Sequence, residues 1–296
     1  MKMKRSFGDH LFTKLNTVFM IMFAVICVYP FIYVAAISFN DSLDAQRGGI
    51  FLWPRVFSVE NYRALFQTAT IVRAYGITIA RVLLSILSQL FFNTLFAYAM
   101  THKDFVFRKF LKWWIFIPMY FSGGLIPYYL IILYTGLMNN FLVYIIPVAF
   151  SSFYIILLMT TIKGIPPSLI ETAEMDGAAH PIILGKVILP LIKPTLAAIA
   201  LFSGVAAWND WWFGFTFISN YDLWPVQNVL LFLQQSSEAA NLAMMARLQQ
   251  GEVTITVTAQ SIQMAMIIVA TVPVLLIYPF LQRYFVKGVM IGSIKE

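Results

Sequence analysis

Six runs of mostly apolar residues, each long enough to cross a lipid bilayer, leave this chain few ways to fold. They fall at about 15–38, 74–100, 113–134, 141–162, 191–218 and 260–281. An apolar helix of about 20 residues matches the hydrocarbon core. In lipid every backbone N–H and C=O must be paired, which favours helices. The other membrane solution, a barrel, needs alternating strands with turn signals every ~10 residues, and no such pattern is present. The composition agrees: 60% hydrophobic, 11% charged, mean hydropathy +0.79, more apolar surface than a soluble domain can bury. The expectation is an all-α membrane protein, one domain over 1–296, without internal repeats. Cys27 is the only cysteine and sits inside the first run, which excludes a disulfide framework or a thiolate metal site. That run is too long for a signal-peptide core and lacks a small-residue cleavage site, so it reads as a retained span.

The net charge of +7 reports on orientation rather than on nucleic-acid binding. With the N-terminus inside, fourteen Lys and Arg fall on the inner side and five (Arg47, Arg55, Arg63, Arg73 and Arg247) on the outer side. The positive-inside rule therefore places both termini and the 163–190 connection in the cytoplasm. Arg81 is left inside the second span. Between spans, 39–73 is a mixed polar loop in which Ser58-Val59-Glu60-Asn61 could start a short helix. The long polar segment 219–259 has an amphipathic stretch at 226–235.

The connection before the fifth span holds Glu171, Glu174 and Asp176 in Ser168–Pro190 (SLIETAEMDGAAHPIILGKVILP). Pro166 and Pro167 block helix upstream. Ser168 is placed to be the N-cap, with Glu171 completing a capping box. Acidic groups in the first turns suit the positive end of the helix dipole. Gly177 is placed to end the helix in a left-handed turn. Leu169, Ala173 and Asp176 share one face, where the small Ala173 would allow a partner's groove to approach closely. The carboxylates could instead bind a hard cation, although capping accounts for Glu171 more simply.

This stretch resembles the cytoplasmic signature of binding-protein-dependent ABC importer permeases: E-A-A, three residues, G, nine residues, I, one residue, L-P. Here it reads Glu171-Thr172-Ala173, Glu174-Met175-Asp176, Gly177, then Ile188-Leu189-Pro190 after ten residues. Thr172 replaces the usual alanine, and the spacing is one residue longer. Asp176-Gly177-Ala178 is the form common in the carbohydrate-uptake branch. On these residues the chain is identified as a member of the carbohydrate-uptake (maltose-type) permeases.

The resemblance implies a type I importer permease fold of six transmembrane helices in a bacterial plasma (inner) membrane. It assigns ATPase coupling to Glu171, Ala173, Glu174, Asp176, Gly177 and Ala178. It implies four partners besides lipid: a second homologous permease, an ATPase dimer, an extracytoplasmic solute-binding protein and a sugar, with no nucleic acid. ATP and Mg would be bound by the ATPases. The chain itself has no G-x-x-x-x-G-K-[ST] phosphate loop and would hold no cofactor or metal and perform no catalysis. Import would proceed by alternating access. The Gly123-Gly124-Leu125-Ile126-Pro127-Tyr128 stretch and the tail from Gln282 look most like the oligo- or polysaccharide branch, and the family's tail reaches into the ATPase dimer.

Three features could line a substrate path. Trp208, Trp211 and Trp212 have helical i, i+3, i+4 spacing and would share a face, with Asn209 and Asp210 beside them. Rings stack on sugar C–H faces, and amides and carboxylates pair with hydroxyls. The alternative is an interfacial aromatic belt, but a carboxylate inside a span usually faces a cavity or a partner. The Gly123-Gly124 pair with Pro127 predicts a kink or unwound turn in the third span, making Tyr120 and Tyr128 candidate pore residues. Arg81 could pair with Asp210, snorkel outward or meet an acidic substrate. Two rivals are an ion-coupled secondary carrier, which would want intramembrane acids and repeats, and a membrane-embedded transferase using the loop carboxylates. His10, His102 and His180 are scattered and suggest no histidine site.

Overall fold

The computed structural model describes residues 7–67, 69–102, 105–235 and 258–293. The described residues are helical apart from loops and one isolated antiparallel bridge between Asn40 and Phe57. Among the described residues, three helices are long and apolar enough to cross a membrane alone: Gly8–Ser38, Ala69–Thr101 and Ala259–Ile277, or up to five spans if two sharply bent helix pairs each count as one. The chain divides into two compact units, Met1–Ala69 with Phe232–Val272 and Thr70–Leu231 with Pro273–Glu296.

In the first unit, α1 (Phe7–Ser38) is exposed along nearly its whole length, as an apolar helix surrounded by lipid or partners would be. Its C-terminal end is covered: Ala36 and Ile37 pack with Ile50 and Met264. The following loop folds around Asn61, whose amide donates to the carbonyls of Ser38 and Asn40, both at 2.9 Å, and accepts from Ser42 Oγ at 2.6 Å. Asp41 caps α2 (Ser42–Ala45) through the amides of Leu43 and Asp44. The Asn40 amide and the Arg55 guanidinium hold the Asp44 carboxyl below the usual carboxylate range. The short helix expected near Ser58 is α3 (Glu60–Gln67), with Ser58 Oγ accepting from the Glu60 amide.

The second unit is built on α4 (Ala69–Thr101). Its third, fourth and fifth expected spans are not single helices. The third is α5 (Arg108–Tyr120) and α6 (Leu125–Tyr134), separated at Gly123-Gly124, with Gly124 at φ +85°. Pro127 then falls in the first turn of α6, where its missing N–H costs nothing. In the fourth, a short 3₁₀ turn (Phe141–Tyr144) and an irregular stretch through Pro147 precede α7 (Ser152–Lys163). Irregular backbone at membrane depth must find its partners inside the protein, and Asn93 of α4 supplies them. Its side chain donates to the Ala149 carbonyl (3.0 Å) and accepts from the Ser151 amide (2.8 Å).

After α7 the chain turns by 76° into α8 (Pro167–Met175). Next come α9 (His180–Ile182), a π-helical stretch (Ile183–Ile188) and α10 (Leu189–Leu191). A bend of 80° leads into α11 (Lys193–Asn209). The fifth span breaks again at Asp210 before α12 (Trp212–Phe217). The expected amphipathic stretch is helix α13 (226–235). The last helix, α14 (Ala259–Ser293), continues past 281, where the sequence suggested a separate tail. The tail's side chains lie outside the described residues, as does 236–257.

Among the described residues, apolar clusters hold the second unit, two of them around the elements just named. One joins the end of α4, α7 and the 183–199 stretch around Met100, Leu158, Ile162, Ile188 and Ile192. The other joins α6, the 3₁₀ turn and α12 around Ile132, Tyr144 and Phe217.

Candidate functional site

The helix α8 starts differently from the expectation. Pro166 is the N-cap and Pro167 the first helical residue, with no side-chain cap bond. Ser168 and Glu171 therefore do not form a capping box. Tandem prolines fix the helix start, because the second pre-sets a helical φ and needs no N–H partner. Ser168 is left one residue inside the helix, where its carbonyl accepts from Thr172 Oγ1.

The other end follows the expectation. Gly177 has φ +77°, its amide donates to the Glu174 carbonyl (2.9 Å), and the Ala178 amide donates to the Ala173 carbonyl (3.0 Å). That pair of bonds is a Schellman termination. Its usual apolar contact is present, because Ala173 and Ala178 both pack on the core cluster beneath, with Ile170. Ala173 thus serves the chain's own core rather than leaving a small outward surface. The outward surface carries Leu169, Glu171, Glu174, Asp176 and Met175, the last 88% exposed. Sequence reasoning passed over Met175; an exposed, adaptable apolar side chain on a short polar helix is the signal that could have found it.

The segment following α8 is tied to the end of α4. Tyr98 Oη lies 3.1 Å from His180 Nδ1, and the rings of His102 and His180 meet edge to face at 4.7 Å. These histidines, 78 residues apart in the sequence, stand together at the root of the 163–190 connection.

At the other end of the unit, α4 carries a polar stripe: Thr78, Arg81, Ser85, Gln89 and Asn93, all buried. Spacings of three and four residues place them on one face. The sequence reading singled out only Arg81. A polar stripe at helical spacing through an apolar 33-residue helix is the signal for the rest. Much of the stripe serves broken backbone. Thr78 Oγ1 accepts from the Val226 amide (2.9 Å), and Asn93 holds the turn before α7. Arg81 donates to the Asp210 carbonyl (2.9 Å) and forms a salt bridge with the Asp210 carboxylate. Its guanidinium also lies 4.5 Å over the Tyr144 ring. Of the three uses considered for Arg81, internal pairing is the one adopted.

Asp210 is the C-cap of α11 in an extended conformation (φ −77°, ψ 121°). The break disperses the tryptophans that helical spacing would have aligned. Trp208 is buried and lines an apolar groove with Val82, Ile86, Gly204 and Ile277. The exposed Asn209 turns its amide back to the Val205 carbonyl at 3.0 Å. Trp212 starts α12 and faces Tyr128 of α6, ring centroids 6.2 Å apart. Those two rings and Gly123-Gly124 line a cavity of about 440 Å³. Two candidates from different spans are thus brought together. Tyr120, 75% exposed, stands apart in a surface pocket with Lys109 and Lys112. A second cavity, of about 400 Å³, lies against Arg81, Asp210 and the α4 stripe.

Among the described residues, no three His, Cys, Asp or Glu side chains gather closely enough to hold a metal ion. Chemically the molecule offers a short helix with a closed C-terminal turn and an exposed acidic face at one end. At the other it offers an aromatic slot and a polar cavity beside an internally neutralised ion pair.

No family model matches the chain. Among curated proteins it is 34% identical over 287 residues to the polygalacturonan/rhamnogalacturonan transport system permease protein YtcP of Bacillus subtilis, covering 97% of this chain and 99% of that one. It is 32% identical over 290 residues to Protein LplC of the same organism, covering 97% and 96%. Among solved structures it matches a chain of a bacterial ABC transporter involved in the import of the acidic polysaccharide alginate. That match has a TM-score of 0.87 and 27% identity, and covers 95% of this chain and 99% of that one.

Proposed function

Since the chain belongs to the ABC sugar-transport permeases, we propose that it is one membrane-spanning subunit of an ATP-driven, binding-protein-dependent importer of acidic oligo- or polysaccharide fragments. It would stand in a bacterial inner membrane with six spans and both termini in the cytoplasm. It would pair with a second permease, two ATPase subunits that bind ATP and Mg, and an extracytoplasmic sugar-binding protein. The exposed surface of α1 leaves ample apolar area for the permease partner as well as for lipid.

The observation that carries the reading is α8, a short helix at 76° to α7. It has a closed Schellman end and an outward face of Leu169, Met175, Glu171, Glu174 and Asp176. A helix so placed transmits force as a rigid lever. Closure of the ATPase dimer on ATP would drag it, and α7 and the 183–199 stretch, packed on the same core, would follow. The central cavity would then face outward to accept sugar.

The acidic class comes from the relatives: one is named for polygalacturonan, and the solved transporter imports an acidic polysaccharide. Tyr128 and Trp212 are the proposed stacking platform, because their rings line one cavity beside the unwound Gly123-Gly124 backbone. The rival secondary carrier needs an ionisable group free to take a proton or ion in the membrane. Asp210, the acidic candidate in the spans, is occupied by Arg81.

The test is reconstitution of the chain with its partner permease, ATPases and binding protein in liposomes, with ATP on the ATPase side. Uptake of galacturonan-derived oligosaccharides should require both ATP and the binding protein. Tyr128→Ala and Trp212→Ala should each lower uptake about two- to tenfold, with basal ATP hydrolysis retained; one aromatic stacking contact is worth ~0.5–1.5 kcal/mol beyond area burial. Uptake driven by an ion gradient without ATPases would overturn the proposal.

A further inference from the structure

The cavity beside the α4 stripe is a different place from the Tyr128–Trp212 slot, and its lining has an unusual property. Ser203, on α11, is 1% exposed, lines this cavity, and its Oγ has no hydrogen-bond partner within the chain. A buried hydroxyl left unpaired is costly, so such a group is normally satisfied or has a use. Gln89, 7% exposed, lines the same cavity. The Arg81 Nε lacks a partner as well. The remaining wall is largely aromatic and apolar, including Tyr144, Tyr154 and Phe213.

Size separates two uses of this space. A water molecule's share of liquid volume is about 30 Å³, so about 400 Å³ is far more room than one or two structural waters need. It falls within the ~300–1,000 Å³ of small-molecule sites, which combine apolar and aromatic walls with a few directed polar groups. Charge narrows the ligand further. The charged residues lining the cavity are Arg81 and Asp210, and they neutralise each other. A carboxylate would find no uncommitted cation there, whereas hydroxyls find a hydroxyl and an amide.

Building on the proposed sugar transport, we infer that this cavity is a subsite for one pyranose unit of the transported chain, read through its hydroxyl groups by Ser203 and Gln89 and indifferent to the unit's carboxylate. The acidic character of the substrate would be selected elsewhere, on the binding protein or the partner permease.

The experiment uses the complete reconstituted transporter with two probes, trigalacturonate and its carboxyl-reduced, neutral counterpart, each presented at saturating binding protein and also directly to the detergent-solubilised complex. Ser203→Ala and Gln89→Leu should weaken binding of both probes to the complex by the same factor, about three- to tenfold, as expected for one lost hydrogen bond. Ser203→Ala removes an unpaired buried group, so its melting temperature should hold or rise, which separates binding from a packing role. Unchanged affinity in both variants would overturn the subsite, and so would a loss confined to the charged probe. Failure of the unmodified complex to import or bind either probe would overturn the acidic-sugar reading and this subsite with it. Unchanged affinity in the two variants, with import by the unmodified complex intact, would overturn the subsite alone and leave the transport reading standing.

Discussion

The C-terminal ends of α8 and α11 are both helix terminations at functional places, and they are built in opposite ways. At α8 everything is local: Gly177 takes φ +77°, and the amides of Gly177 and Ala178 reach back to Glu174 and Ala173. At α11 the terminating residue, Asp210, is held by Arg81, 129 residues earlier in the chain. The local end can form as soon as the nine residues of α8 are helical. The distant end forms only when α4 has packed, and it concentrates its energy in one partly buried ion pair. The proposed role of α8, a lever that must stay rigid while being pushed, suits the first plan. A break that opens a cavity wall between two spans suits the second.

The sharpest way to break this comparison is at Asp210. Arg81's side chain is 4% exposed, against 23% for Asp210. Asp210→Ala therefore strands a buried guanidinium, at about 3–5 kcal/mol. Arg81→Met strands the better solvated partner and should cost less. The double change Arg81→Met with Asp210→Leu removes both charges and should regain most of the loss. Thermal unfolding of the purified complex measures all three. Equal losses from the two single changes would mean that the pair is not the asymmetric clamp described here.

The next effect is at Gly177. A Cβ there would meet nothing within 4 Å, so any cost comes from the backbone alone. A left-handed φ costs an ordinary L-residue about 1–2 kcal/mol, and β-branched residues resist it most. Asn tolerates it. Gly177→Asn should therefore transport nearly as the parent does. Gly177→Val should reach the membrane but spend more ATP per sugar imported, because the end of the lever frays. ATP hydrolysis and uptake measured on the same vesicles give the ratio. Normal coupling in Gly177→Val would remove the Schellman end from the mechanism.

The same contrast explains what the sequence made legible. Features set within a few residues could be read: the turn at Gly177, the Gly123-Gly124 interruption, the short helix after Ser58 and the 226–235 helix. Features set by distant partners could not. Nothing near Asn209-Asp210-Trp211 says that the helix stops there; the reason is Arg81. Nothing near Pro147 says that its irregular turn is affordable, and the reason is Asn93. Gly214 is similar, since a Cβ there would fall 2.3 Å from Asn228 Oδ1, a closeness invisible along the chain. The aromatic pairing of Tyr128 with Trp212 needed two spans to be seen together. The start of α8 is the exception, a local feature misread, because Ser168 and Glu171 match the capping-box spacing while Pro166-Pro167 has already set the boundary two residues earlier.

That misreading yields the smallest and most discriminating prediction. Were Glu171 part of a capping box, Gln would preserve the reciprocal bond and Ala would lose it, so Glu171→Ala would be the more damaging by about 0.5–2 kcal/mol. With Pro166 as the cap and no side-chain cap bond, neither substitution removes a structural contact. Both should leave the melting temperature of the complex unchanged to within the ~0.5 kcal/mol typical of surface changes. Any effect must then act through the exposed face that the proposal presents to the ATPase. There the two variants should behave alike in charge, each lowering the ATPase's apparent affinity for the permease in a salt-sensitive way, because rim charges act chiefly on association. Titrating ATPase onto the solubilised permease pair at low and high salt makes the distinction. A stable Glu171→Gln beside an unstable Glu171→Ala would restore the capping box and shift the start of α8. Equal stability with equal, salt-dependent loss of ATPase binding would place Glu171 among the groups by which the lever is held.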